Sequence, residues 1–203
     1  MRIVKNHLSV LLALVITSSV TGSCMASSND SGMITFTGSV NAHTCDITTN
    51  NGLDTTNVTL SMPVVTAEDI TNTSLANGGV GEKEFELMLN CDAASGLTSA
   101  TISFSSPQFA ELSSGTLKND PSLSDGAKNV NVALFNNGNA NSSQVLIGRP
   151  DDVGQTITMD DTNHGGVFAY KAVYVPSADM DATANPVVAG SVSTNATFTV
   201  SYQ

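Results

Sequence analysis

The chain has 203 residues, enough for one domain with a real core or two very small ones. Charged residues make up 12% and hydrophobic residues 40%. That composition excludes a disordered chain and leaves the polar surface to Ser, Thr, Asn and Gly, which favour turns and strand edges over helix interiors. The net charge of −11 repels phosphate, so it argues against a nucleic-acid or acidic-membrane partner.

The first 26 residues read as a signal peptide. Arg2 and Lys5 form a basic start, and the apolar run LSVLLALVITSSV that follows is short for a membrane span. Small residues come next, with a cleavage site after Ala26. A lipoprotein signal at Cys24 is the weaker alternative, because Thr21 stands where such a signal prefers Leu. Removing this segment takes away two basic residues and no acidic one, so the net charge moves from −11 to −13. Acidity of this size serves solubility, and it would attract a basic partner surface. Cys45 and Cys91 remain. In an exported chain an even count suggests one disulfide, the alternative being two buried thiols.

Along the mature chain, period-two runs recur between turn residues and no long helical period appears. MITFTGSV places Ile34, Phe36 and Val40 on one parity. TCDIT carries the first cysteine. VTLSMPVV is a strand candidate that Pro63 should end or push to an edge. EFELMLNC is the clearest strand: Phe85, Leu87, Leu89 and Cys91 share one face, and Glu84, Glu86 and Asn90 the other. A short helix fits TAEDIT or SPQFAEL. ATISF, NVNVALFNN and QVLIG follow as strands. VFAYKAVYV is apolar on both parities and should be buried on both faces or lie under a loop. The chain closes on NATFTVSYQ, with Ala196, Phe198, Val200 and Tyr202 on one parity. About eight short strands without helical crossovers predict an all-β sandwich in one domain.

Catalytic or metal chemistry finds little support. His43 and His164 are the mature histidines, and no nucleophile-elbow or phosphate-loop motif is present. Asp160, Asp161 and His164 offer oxygen and nitrogen ligands in one loop, but the twelve-residue calcium pattern is absent and acidic turn residues explain the same letters. The expectation is no enzyme, no cofactor and no metal.

These segments, in this order, resemble the chaperone–usher fimbrial subunits of Gram-negative bacteria, the type 1 and P pilin group. The resemblance rests on ITFTGSV before Cys45, VTLSMPVV, FELMLNC ending at Cys91, ATISF, NVNVALFN, FAYKAVY and AGSVSTNATFTVSYQ with its penultimate Tyr202. LSMP stands where a Leu-Gly segment is more typical, and the short extension carries Asp30. The resemblance implies an incomplete immunoglobulin-like sandwich, the pilin fold, lacking its last strand and carrying the disulfide Cys45–Cys91. It divides the chain into a signal peptide (1–26), an N-terminal donor-strand extension (27–42) and a pilin domain (43–203).

The implied function is a structural subunit of an adhesive fimbria, exported through the periplasm to the cell surface. Its implied partners are a periplasmic chaperone, an outer-membrane usher and other fimbrial subunits. No nucleic acid is expected, and a host receptor would be met only through the assembled fimbria. Gly32, Ile34 and Phe36 would form the donor strand. Phe198, Val200 and Tyr202 would line the acceptor groove and meet the chaperone. The residues alone leave two alternatives open: the segment around Ile34 pairs within its own domain, or the last strand closes a complete sandwich. A sugar-binding fimbrial adhesin or secreted lectin-like sandwich is the alternative function.

Overall fold

The computed structural model describes residues 45–49, 58–91, 96–138, 142–159, 162 and 164–203. The signal peptide, the extension 27–42 with Gly32, Ile34 and Phe36, and residues His43, Asp160 and Asp161 lie outside the described residues. The strands are β1 (Cys45–Thr49), β2 (Val80–Cys91), β3 (Ser99–Ser105), β4 (Ala110–Glu111), β5 (Thr116–Lys118), β6 (Val130–Asn136), β7 (Gln144–Val145), β8 (Gln155–Thr158), β9 (Gly165–Pro176) and β10 (Thr197–Tyr202). One sheet runs β1-β2-β9-β6-β5-β4, with β7 also on β6; the other runs β10-β3-β8. Every named pairing is antiparallel. This is the expected all-β sandwich.

The alternation in EFELMLNC sets the first layer. Leu87, Leu89 and Cys91 are buried, while Glu84 is exposed and Glu86 half-buried. Opposite them on β9, Phe168 and Tyr170 are each 1% exposed. Ile102 and Phe104 of β3 close the core from the second sheet. Each large side chain so buried contributes about 1.5–3 kcal/mol of transfer free energy.

Cys45 and Cys91 stand opposite each other in the β1–β2 register and are disulfide-bonded. The bridge closes a span of 46 residues, for which chain entropy gives about 4 kcal/mol.

VFAYKAVYV divides along its length. Its second half is buried on both faces: Ala172 and Tyr174 join the main core, and Val173 and Val175 form a small outer core with Ala133, Phe135 and Leu75. Val167, in its first half, is 44% exposed. The outer core lies beneath the segment holding α1 (Ala67–Thr71) and the single 3-10 turn Leu75–Asn77. TAEDIT is therefore the helix. Thr66 caps it with a reciprocal bond to Asp69, and Ile70 is its buried residue.

SPQFAEL is not helical. Ala110 N–H donates to the Ser106 carbonyl in one α-turn, and the chain then enters β4. VTLSMPVV forms no strand either. It takes no regular secondary structure, Pro63 has no N–H for a ladder, and Val64 is fully exposed. Thr116–Lys118 and Gln155–Thr158 became strands without a sequence signal, being short and largely polar.

Candidate functional site

The last strand has one paired edge. β10 is bonded to β3 with Phe198 opposite Phe104, Val200 opposite Ile102 and Tyr202 opposite Ala100. Gln203 and Ser99 exchange both backbone hydrogen bonds, at 2.9 and 3.0 Å. Antiparallel alternation then directs the backbone groups of Thr197, Thr199 and Ser201 toward β3. The N–H and C=O of Phe198, Val200 and Tyr202 point the other way, where β10 has no partner strand among the described residues. Their side chains face the core yet remain half-buried, in contrast to Ala100, Ile102 and Phe104 across the ladder.

Beside this edge lies a cavity of about 790 Å³. One wall is Val192–Phe198. Val58, Thr59, Leu60 and Met62 also line it, and the core contributes Phe85, Leu87, Leu117, Val132 and Tyr174 among other residues. So VTLSMPVV, although not a strand, does serve the site: Pro63 and the missing ladder leave it standing apart from β10.

Phe198 lines the cavity. Val200 and Tyr202 continue the same face of β10, packed on the core beyond the cavity lining. A run of rings ties the site to the core. Phe198 lies 6.4 Å from Phe104, Phe104 meets Tyr170 edge-on at 5.0 Å, and Tyr170 stacks on Phe85 at 5.6 Å. Burial pushes the phenols of Tyr170, Tyr174 and Tyr202 above their ordinary range, the charge of Asp152 adding to the effect at Tyr170. All three are therefore neutral at ordinary pH.

An apolar cleft flanked by unpaired backbone is chemically suited to one kind of ligand, an extended polypeptide that adds a strand and sinks alternate side chains. The chain matches the family model described as "Fimbrial protein" over residues 34–203. It belongs to the fimbrial protein family. This fimbrial subunit is 28% identical to the F17 fimbrial protein of Escherichia coli over 177 residues, which cover 85% of this chain and 87% of that one.

Among solved structures it is similar to the P pilus rod subunit PapA, with a TM-score of 0.48 and 19% identity over 84% of this chain and 100% of that one. It is also similar to the CupB6 tip adhesin from Pseudomonas aeruginosa, with a TM-score of 0.45 and 15% identity. That match covers 78% of this chain and 43% of the adhesin. The family model and the F17 relative bear out the resemblance to fimbrial subunits, and with it a place in a surface fimbrium.

The parity of the last strand pointed to Phe198. It did not point to Val192, Thr194 or Phe85 as cavity residues, because a concave site collects side chains from segments far apart in sequence. Among the described residues, no three His, Cys, Asp or Glu side chains are grouped to hold a metal, and no helix is long and apolar enough to cross a membrane.

Proposed function

We propose that this fimbrial subunit polymerises by donor-strand exchange, a form of β-augmentation. Residues 27–42 of one subunit enter the cleft beside β10 of the preceding one, with Ile34 and Phe36 inserted, Gly32 on the same parity, and Thr35 and Thr37 turned outward. The role is structural rather than enzymatic. Before assembly a periplasmic chaperone covers the cleft with its own strand and contacts Phe198, Val200 and Tyr202. The usher at the outer membrane is where the exchange takes place, after residues 1–26 have directed export.

The observation that carries this reading is the open edge: the backbone groups of Phe198, Val200 and Tyr202 have no partner strand among the described residues, and Phe198 lines a largely apolar cavity. Bare edges of this kind aggregate unless covered. Two or three buried anchors at about 1.5–3 kcal/mol each, plus a backbone ladder, make the exchanged strand slow to leave.

The test is an assembly comparison. Phe36→Asp should abolish fibres seen by electron microscopy, because it sends a charge into the cleft. Thr37→Asp, on the outward parity, should leave them at near-normal length. Equal damage from both would contradict the assignment of faces.

A further inference from the structure

We infer that the acceptor edge extends past β10 to Val192, and that Asn119 and Asp120 are the residues that hold the added stretch in place; this rests on the donor-strand reading above. β3 stops pairing at Ser105 opposite Thr197, and residues 192–196 have no partner strand among the described residues, while Ser191 makes an isolated bridge to Gly126. Ser191 and Ser193 are nevertheless bonded to the body. Ser193 N–H donates to the Asn119 side-chain oxygen at 2.8 Å, and Asp120 N–H donates to the Ser193 carbonyl at 2.8 Å. The Asn119 amide nitrogen is fixed in turn by the carbonyls of Ala127 and Ser191, each at 2.9 Å. Ser191 exchanges backbone bonds with Asp125 and Ala127, both at 2.8 Å, and its hydroxyl reaches Asp125.

The parity therefore runs through without a break. Ser191 and Ser193 turn their backbone groups to the body as Thr197, Thr199 and Ser201 do. Burial follows the same alternation from Ser191 to Tyr202. Extended-chain geometry then points the N–H and C=O of Val192, Thr194 and Ala196 to the open side, in line with those of Phe198, Val200 and Tyr202. The Thr194 hydroxyl lines the cavity, is buried and has no hydrogen-bond partner. A buried hydroxyl in that state favours an incoming polar group. The site thus takes a donor strand that spans Val192–Tyr202, and Asn119 is a positioning residue for its far end.

Amide hydrogen exchange tests this on the full mature subunit released from its chaperone onto a synthetic peptide of residues 27–42. The amides of Thr194, Ala196, Phe198, Val200 and Tyr202 should all exchange at least about tenfold more slowly in the complex than in the subunit before peptide capture. In Asn119→Ala, protection should fall at Thr194 and Ala196 and persist at Phe198–Tyr202. A merely structural role would lower protection along the whole edge. Protection that stops at Phe198 in the wild-type complex overturns the extended edge, and it does so even if the variant fails to fold. Failure of the peptide to protect any of these amides overturns the donor-strand reading itself, and this inference with it.

Discussion

Tyr170 shows how a single side chain serves both the core and the site. It is 1% exposed, bridges Phe85 and Phe104, and its hydroxyl has no hydrogen-bond partner. A buried hydroxyl without a partner costs about 1–3 kcal/mol. Tyr170→Phe should therefore leave urea-unfolding stability unchanged or raise it by about 1 kcal/mol, whereas Tyr170→Ala should lose about 3–5 kcal/mol.

The same burial sets a pH dependence. The folded phenol lies above its ordinary 10.0, so the contribution of its neutral form is whole below pH 10 and declines as pH rises beyond it. Stability measured between pH 9 and 11 should fall in the wild type and fall less in Tyr170→Phe. Asp69 has the opposite sign. Bonds from Thr66 hold its carboxyl below the ordinary 3.8, so its contribution is present above that value and lost as pH drops through the lower folded one. At this scale the sequence was informative wherever parity decides a side chain's direction, as at Leu87, Leu89 and Phe198. It was silent on Tyr170, because VFAYKAVYV is apolar on both parities and period two does not separate the faces.

Elements show what pattern reading captures and where it stops. Strong alternation in EFELMLNC and ATFTVSYQ produced β2 and β10 as expected. Residues 116–118 and 155–158 pair because neighbouring strands offer them an edge, which is a tertiary cause that local sequence does not carry. Val58–Val65 errs in the other direction: it has strand composition, but Pro63 and the open cleft leave it unpaired. β1 is short, at the end of its sheet, and tied to β2 by the disulfide. Replacing both Cys45 and Cys91 by Ser should cost about 4 kcal/mol in urea unfolding of the complemented subunit. At the helix, Thr66→Ala removes the cap of α1 and should cost about 1 kcal/mol.

At the scale of the whole molecule, the two sheets are unequal, and among the described residues the smaller one ends at β10 on an edge with no partner strand. On the donor-strand reading, a subunit expressed in the periplasm without its chaperone should be degraded or aggregate, and co-expression of the chaperone should restore soluble protein, as read by immunoblotting. Removing residues 27–40 should leave chaperone binding intact and prevent the subunit from occupying the middle of a fibre. This level was legible in the sequence only through the family resemblance, because no local pattern in ATFTVSYQ distinguishes a closed last strand from an open one.

The most direct measurement places a photo-crosslinking residue at position 36 in fibres assembled from a mixture of light and heavy-isotope subunits. Mass spectrometry of the cross-linked peptides should find position 36 joined to residues 192–202 or 58–62, with light–heavy pairs as frequent as random mixing allows. Cross-links confined to pairs from one chain, or directed to the outer face of β2 and β9, would contradict completion of the fold by a second polypeptide.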